Sequence, residues 1–104
     1  MHASPLQQFG GMEIAYFKLK PGASEQALLR VAALIERDFF AGLPDLVHHE
    51  LIKGADGLYA DLTFATSQAR AEEICAQWAQ NPHAEDYLAL LAEDSTQLTF
   101  WSRL

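Results

Sequence analysis

Cysteine is nearly absent from this sequence. The 104 residues include one cysteine, Cys75, so a disulfide bond within the chain is excluded. Disulfides form and persist in oxidising compartments, and a chain without them fits a reducing one. The sequence therefore predicts a cytoplasmic protein.

Basic residues are also few. Seven Lys and Arg stand against fourteen Asp and Glu, which gives a formal net charge of −7 at pH 7, and the basic residues form no run. Nucleic acids and anionic membranes bind clusters of Lys and Arg. We therefore expect neither a nucleic acid nor a membrane as partner, and we interpret the acidic surplus as a contribution to solubility.

Long apolar runs are missing as well. No stretch approaches the roughly 20 apolar residues that a membrane-spanning helix needs. Residues 1–11 have neither the basic start nor the apolar centre of a signal peptide, and Pro5, Gly10 and Gly11 indicate a flexible leader. Half of the residues are hydrophobic and a fifth are charged, as in globular proteins (50% and 20%). Residues 12–104 are therefore predicted to form a single domain.

Hydrophobic periodicity defines the first strand and the first helix. Residues Glu13–Lys20 alternate as a strand does, and Pro21-Gly22 ends that strand. Apolar residues at helical spacing then predict a helix from about Glu25 to Phe40, with Ser24 as its N-cap. The alternation of the strand places Ala15, Phe17 and Leu19 on one face and Ile14, Tyr16 and Lys18 on the other.

The second half of the chain is predicted to contain a hairpin, two helical segments and a last strand. The hairpin strands are Leu46–Lys53 and Leu58–Ala65, joined by a turn that contains two glycines. The remaining elements are a helix over about Gln68–Gln80 that Thr66 or Ser67 caps, a further helix that starts at Pro82, and a strand over about Thr96–Arg103.

The order of these elements, β-α-β-β-α-β, predicts an α+β protein with a ferredoxin-like fold. In that fold two right-handed crossovers place the helices on one face of a four-stranded antiparallel sheet. The other face is uncovered, and it is expected to carry Ile14, Tyr16, Tyr59 and Trp101. Because a large apolar patch is rarely exposed in a monomer, we expect a homodimer in which a second copy covers this face and closes a dimeric α+β barrel.

Several segments of the chain carry a family resemblance. They are the strand end Lys18-Leu19-Lys20-Pro21-Gly22, the run from Gly57 to Phe64, and Asn81-Pro82-His83 followed by a helix over Asp86–Leu91 and a Phe100-Trp101 strand. In this order, over about residues 13–103, the chain resembles the dimeric α+β barrel superfamily, which includes antibiotic-biosynthesis monooxygenases and stress-responsive barrel proteins. The resemblance implies a homodimer whose two sheets pack face to face around pockets for small-molecule ligands.

The resemblance also bears on cofactors. Activities in that superfamily include cofactor-free oxidation of aromatic compounds, haem degradation, and isomer and lactone chemistry. Its haem-degrading members and some oxygenases resemble one another in an Asn, a Trp and a His that line the pocket. This chain has no Asn in its first strand and has Phe64 where that Trp is often found, whereas His83 matches the His. We therefore expect no cofactor and no metal, and a colourless purified protein.

The third predicted strand decides which side chains face the barrel. Leu58, Leu62 and Phe64 are its most apolar set and are expected to meet the helices, since side chains alternate between the two faces of a strand. The alternate set is then expected to line a pocket in the barrel. It consists of Tyr59, Asp61 and Thr63.

The turn of the hairpin adds residues of the second strand to this pocket. A turn centred on Ala55-Asp56 pairs Glu50 with Asp61, and the same register pairs His48 with Thr63. Two carboxylates at close range raise the pKa of one of them, as a general acid or base requires. The predicted catalytic residues are Asp61, Glu50 and His48. The predicted ligand-binding residues are Tyr16, Lys18, Tyr59, Thr63, Trp101 and His83.

Two interpretations of these residues stay open. In one, the chain is an enzyme that acts on an aromatic or enolisable compound, either a cofactor-free monooxygenase or an isomerase-type enzyme, with Asp61, Glu50 or His48 as base. In the other, it is a non-catalytic dimeric binding or stress-responsive module, in which these groups form ion pairs or interface. A metal site is not expected, because His48 and His49 point to opposite faces of their strand and only His49 is expected to face the helices.

Overall fold

The computed structural model describes residues 8–104, so residues 1–7 of the predicted leader lie outside the described residues. The first strand begins at Gly11, earlier than the predicted start at Glu13. Glycine permits this start because the backbone of residues 66–68 lies directly against it. A Cβ atom on Gly11 would lie 2.1 Å from the amide nitrogen of Gln68, and one on Gly10 would lie 2.1 Å from the Thr66 carbonyl oxygen.

The described elements follow in the predicted order. The strands are β1 (Gly11–Lys18), β2 (Leu46–Lys53), β3 (Leu58–Ala65) and β4 (Gln97–Ser102). The helices are α1 (Glu25–Ile35), α2 (Gln68–Trp78) and α3 (Ala84–Leu88), and a π-helical turn (Glu36–Phe40) continues α1. Within residues 8–104, none of the helices has the length and apolar character that a membrane crossing requires.

The strands form one antiparallel sheet in the order β2-β3-β1-β4, which confirms the predicted ferredoxin-like α+β fold. The helices pack on one face of this sheet. The core between them is built around Phe17 of β1, whose ring stacks on Tyr59 of β3 at a centroid distance of 5.6 Å. The other buried residues of this core are Leu28, Val31, Ile35, Phe40, Ala65, Ala71, Ile74 and Tyr87.

The first helix ends in a wider turn than expected. Ser24 caps its start, as predicted, by accepting a hydrogen bond from the Ala27 amide at 3.1 Å. The last predicted turn is π-helical, and the Ala41 amide donates to the Glu36 carbonyl oxygen at 2.8 Å. Such turns are rare and frequently occur at functional sites. This one carries Glu36 and Phe40, whose side chains both contact His49.

The predicted orientation of β3 is wrong. Tyr59 lies opposite the core residue Phe17, so Tyr59, Asp61 and Thr63 all face the helices rather than the barrel. Leu62 and Phe64 consequently lie on the uncovered face, which is the opposite of their predicted position. The apolar residues of β3 were predicted to face the helices, but the uncovered face of the sheet is apolar as well. Ile14, Tyr16, Leu58 and Ala60 share it.

The register of the β2–β3 hairpin is shifted by one residue from the predicted one. Asp61 lies opposite Leu51 instead of Glu50. The turn explains the shift, because the Gly54 amide donates to the Leu58 carbonyl oxygen at 2.7 Å and leaves three residues, 55–57, in the loop. A loop of odd length centres the turn on one residue rather than between two, which moves the ladder by one position.

The observed orientation separates the predicted catalytic residues. His49 lies opposite Thr63, on the helix side, as predicted for His49. His48 and Glu50 lie on the uncovered face, where they were expected, but Asp61 is on the other side of the sheet. The predicted cluster of Asp61, Glu50 and His48 is therefore wrong.

Candidate functional site

A cavity of about 210 Å³ lies between the helix side of the sheet and helices α2 and α3. Leu88 and Leu98 line it and are half-exposed, so the cavity opens to solvent at their edge. Its wall is largely apolar and, among the described residues, contains no Lys or Arg. The lining residues are Glu13, Ala15, Phe17, Phe40, Asp61, Thr63, Ile74, Cys75, Trp78, Tyr87, Leu88, Leu91, Thr96 and Leu98.

Asp61 supplies a carboxylate to the cavity wall. Its side chain is only 13% exposed, since β3 directs it beneath the helices. Its Oδ1 lies 2.6 Å from Nε2 of His49, and its Oδ2 accepts a hydrogen bond from the Tyr87 hydroxyl at 3.3 Å. Each carboxylate oxygen of Asp61 thus has a hydrogen-bond partner.

His49 is held between two carboxylates. Its Nδ1 lies 3.0 Å from Oε2 of Glu36, its Nε2 contacts Asp61, and its side chain is 8% exposed. The Phe40 ring stacks on the imidazole at a centroid distance of 3.9 Å. Burial opposes protonation of the ring, but the hydrogen bonds and charges of Asp61 and Glu36 outweigh it, so the pKa of His49 is raised above its ordinary value. Because carboxylates only accept, the imidazolium form satisfies both of them.

Tyr87 reaches the same carboxylate from α3. Its ring is buried and packs edge-on against Phe17 and Trp78, at centroid distances of 5.7 and 5.2 Å. Burial raises the pKa of Tyr87 far above its ordinary value, and the charge and hydrogen bond of Asp61 raise it further. Tyr87 is therefore a neutral hydrogen-bond donor to Asp61 rather than a base.

Glu13 adds a second carboxyl group to the cavity. It is 7% exposed and lies on β1 opposite Thr63, diagonal to Asp61 across the ladder. Burial raises the pKa of Glu13, and the negative charge of Asp61 adds to the rise, although the hydrogen bond from Cys75 and the charge of His49 work against it. Burial and the contact with Glu13 in turn raise the pKa of Cys75 to about 12, so this thiol is neutral.

The two carboxyl groups thus occupy different environments. Asp61 faces hydrogen-bond donors, whereas Glu13 faces apolar surroundings and the charge of Asp61. Neighbouring titratable groups in such different environments are the arrangement in which one acts as base and the other as acid. The site is therefore suited to taking a proton from a bound molecule at Asp61 and donating a hydrogen bond or proton from Glu13.

Solved structures of known proteins share this architecture. SnoaB, a cofactor-independent oxygenase from Streptomyces nogalater, is 20% identical, and the match covers 92% of this chain and 94% of SnoaB with a TM-score of 0.71. A candidate antibiotic biosynthesis monooxygenase from Caulobacter crescentus is 15% identical, with 93% and 92% of the chains covered and a TM-score of 0.60. The chain has the fold of these proteins.

A dimeric ferredoxin-like protein from an uncultured marine organism also shares this fold. It is 10% identical, the match covers 92% of this chain and 89% of that protein, and the TM-score is 0.61. No protein-family model and no curated protein matches the sequence. The resemblance that the sequence predicted is confirmed at the level of the fold.

Within this fold, only part of the predicted site reaches the cavity. The predicted catalytic residue Asp61 and the predicted ligand-binding residue Thr63 line it. Tyr59 is a core residue beside it, and its hydroxyl donates to Glu25 at 2.8 Å. His83 contacts Asp38 at 2.6 Å and thereby ties α3 to the π-helical turn, outside the cavity wall.

The other predicted site residues lie on the uncovered face. His48 and Glu50 pair there at 3.0 Å. The Trp101 indole is 51% exposed and donates to the Thr99 hydroxyl at 2.9 Å. Tyr16 and Lys18 point to the same face by the alternation of β1. None of the residues on this face lines the cavity, so their assignment to the same pocket as Asp61 is wrong.

Glu13 and Tyr87 were not among the site residues predicted from the sequence. The alternation that placed Ala15 and Phe17 inward also places Glu13 inward, one step earlier along the strand, and that signal was available. The contact between Tyr87 and Asp61 joins residues 26 positions apart, and no local pattern predicts it. In the part of the chain that the structure describes, no three His, Cys, Asp or Glu side chains are arranged to hold a metal ion.

Replacing Glu13 by glutamine is expected to stabilise the protein at pH 8 and to have little effect at pH 4. The pKa of Glu13 is raised in the folded protein, so its neutral carboxyl is favoured there. When pH rises above this pKa, the carboxyl ionises in a buried position, and the free energy of unfolding decreases. Below the unfolded value near 4.5 this cost is absent. Glutamine keeps the size and hydrogen bonding without the charge.

Urea unfolding at the two pH values measures this effect. The control is Glu72→Gln, which removes the same charge from an exposed position of α2. Equal effects of Glu13→Gln at both pH values, or a loss of stability at pH 8, would contradict the buried charge.

Proposed function

We propose that this chain is an enzyme that removes a proton from an uncharged aromatic or enolisable molecule bound in the cavity, with Asp61 as the base. The observation that supports it is a carboxylate paired with His49 and Tyr87 at the wall of a largely apolar cavity. A positioned base of this kind accelerates proton transfer by about 10²–10⁴-fold. His49 is not a lining residue, so Asp61 is the member of the pair that meets the substrate.

Glu13 is proposed as the acid partner. The proton leaves the substrate for a carboxylate oxygen of Asp61, and the electron pair of the broken bond moves onto the oxygen of the substrate. Protonated Glu13 donates a hydrogen bond to that oxygen as its negative charge develops. In an isomerase-type reaction Asp61 then returns the proton to a different carbon, and the reaction is complete.

A cofactor-free monooxygenase reaction uses the same first step, with molecular oxygen as second substrate. The carbanion formed at a methylene carbon adds to O2 and takes the proton back as a hydroperoxide. Loss of water from the hydroperoxide leaves a carbonyl group, so one CH2 and one O2 yield one C=O and one H2O. The similarity in fold to the oxygenase SnoaB supports this version of the proposal.

The cavity limits the size and charge of the substrate. Its volume of about 210 Å³ exceeds the roughly 150 Å³ of an engineered cavity that binds benzene and falls below the roughly 300 Å³ at which pockets for drug-sized ligands begin. Its described wall carries two carboxyl groups and no Lys or Arg, which disfavours anionic ligands. We therefore propose a substituted single ring or a compound of similar size, without negative charge.

Hydrogen–deuterium exchange tests the proposal directly. One-ring phenols and cyclic ketones are incubated with the protein in D2O, exchange at carbon is followed by proton NMR, and oxygen uptake is recorded in parallel. We expect exchange with neutral compounds and none with their carboxylate analogues. Binding without exchange would favour the non-catalytic binding module, and the absence of both would refute the assignment of this cavity.

The proposed enzyme works without a bound cofactor and in the cytoplasm. The chemistry above needs only Asp61, Glu13 and, for oxygenation, dissolved O2. An absorption spectrum and elemental analysis of the purified protein test whether a cofactor is bound, and we expect no visible absorption. A stoichiometric haem, flavin or transition metal would contradict it.

A homodimer is expected in solution. The uncovered face carries Leu62, Phe64 and the half-exposed Trp101, and a second copy would cover it with an interface of roughly 1,600 Å². The dimeric ferredoxin-like protein of similar fold supports this arrangement. Light scattering is expected to give twice the mass of one chain, and Trp101→Glu to shift the protein toward the monomer.

The control for this substitution is Leu29→Glu, which adds the same charge at a half-exposed position on α1, on the other side of the sheet. A wild-type monomer at micromolar concentration would refute the dimer. It would leave the cavity intact, because the cavity lies between the sheet and the helices of one chain.

A further inference from the structure

Three side chains form a line from solvent to the cavity wall. Glu36 is 54% exposed at the surface, His49 is 8% exposed behind it, and Asp61 is 13% exposed at the cavity. The links are 3.0 Å from Glu36 Oε2 to His49 Nδ1 and 2.6 Å from His49 Nε2 to Asp61 Oδ1. The outer carboxylate thus touches water, whereas the inner one touches the cavity.

We propose that Glu36 is a positioning residue that controls the charge of the site from the protein surface, by holding His49 as an imidazolium and by carrying its proton to and from water. The inference rests on the proposed function, because Asp61 is the base that this imidazolium accompanies. Neither Glu36 nor His49 lines the cavity, so both act on the substrate through Asp61.

The proton moves over a short and balanced route. When the His49 imidazolium is deprotonated, the proton on Nδ1 passes to the Glu36 carboxylate and then to water. The neutral imidazole keeps its proton on Nε2 and its hydrogen bond to Asp61. Protonation follows the reverse order. Deprotonation of His49 removes the positive charge next to Asp61. Because the described cavity wall has no Lys or Arg, the negative charge that develops on the substrate then has no nearby cation.

The surroundings of His49 support an exchange route through Glu36. The Phe40 ring covers one side of the imidazole. The titratable groups that act on His49 or its partner are Glu36 from the π-helical turn, Asp61 from β3, Glu13 from β1 and Tyr87 from α3. Of these four, Glu36 is the exposed one. The neighbouring Arg37 is engaged with Asp38 at 2.7 Å.

Nitrogen-15 NMR of the histidine rings in the ligand-free protein tests the proposal, with wild type, Glu36→Gln and Glu72→Gln titrated side by side. Glutamine can still accept a hydrogen bond from Nδ1 but carries no charge. We expect the proton affinity of His49 to fall about tenfold in Glu36→Gln, as removal of an adjacent opposite charge does, and its ring proton to exchange more slowly with water. Glu72→Gln, with the same loss of charge at an exposed position of α2, is expected to change neither.

An unchanged His49 titration in Glu36→Gln would overturn the proposal. If that variant does not fold, Glu36→Asp keeps the charge on a shorter side chain, and we expect a smaller fall of the same sign; no fall overturns the proposal equally. Because the titration needs no substrate, its failure is distinct from a failure of the proposed function. Where deuterium exchange on a substrate is found, its pH profile is expected to shift to lower pH together with His49.

Discussion

Asp61→Asn is expected to slow deuterium exchange on a bound substrate by about 10²–10⁴-fold, the usual contribution of a general base. The amide cannot take up a proton at the pH of the assay, whereas the carboxylate can. The amide oxygen can still accept from Nε2 of His49, and the Tyr87 hydroxyl can turn to accept from the amide nitrogen. The cavity is therefore expected to keep its shape, so the rate of proton transfer decreases while the fold is retained.

The measurement is the exchange rate by proton NMR, with circular dichroism and thermal unfolding as checks on the fold. Asp56→Asn is the matched control, since it makes the same change on the same hairpin, at an exposed turn residue with φ of 56° that asparagine tolerates. If Asp61→Asn kept the wild-type rate within about threefold, well inside the range expected of a general base, Asp61 would not be the base.

Leu28→Ala is expected to destabilise the protein by about 2–5 kcal/mol, the usual cost of removing a large side chain from a packed core. Leu28 has no exposed surface, and it packs in the cluster that contains Phe17 and Ile35. Alanine at this position leaves a space that the surrounding helices and strands fill only in part. The effect is expected in the free energy of unfolding and not in the denaturant dependence.

Urea unfolding measures this difference, and the next residue provides the control. Leu29 is 54% exposed on the same helix, so Leu29→Ala is expected to stay within about 0.5 kcal/mol of wild type. Equal effects of the two substitutions would contradict the orientation of α1. Leu62, which the sequence assigned to this core, lies on the uncovered face, and its truncation is expected to act through the dimer.

Much of the fold followed from local patterns. The alternation of β1 placed Phe17 inward, the apolar stripe of α1 placed Leu28 inward, and Ser24 marked the start of that helix. These signals are strong because side chains alternate between the two faces of a strand, and apolar residues at helical spacing lie on one face of a helix. The element order then led to the ferredoxin-like topology.

The orientation of β3 could not be predicted in the same way. Rules of periodicity assume that the most apolar face meets the core, but the uncovered face of this sheet is apolar too. Tyr59 is an amphipathic residue whose ring packs on Phe17 while its hydroxyl reaches Glu25, so polarity alone gave the wrong assignment. The length of the hairpin loop then moved the register by one residue.

By itself the sequence determined the α+β class, the strand and helix order, and the presence of Asp61 and His49 on neighbouring strands, because these depend on interactions between residues close in the chain. Only the tertiary structure decided that these two side chains meet on the helix side of the sheet. It also decided that Glu36, Tyr87 and Glu13 join them, since those contacts connect β1, β2, β3, α3 and the π-helical turn. Contacts between distant elements depend on which face of the sheet each side chain occupies. A shift of one residue in the register of a strand moves its side chains to the opposite face.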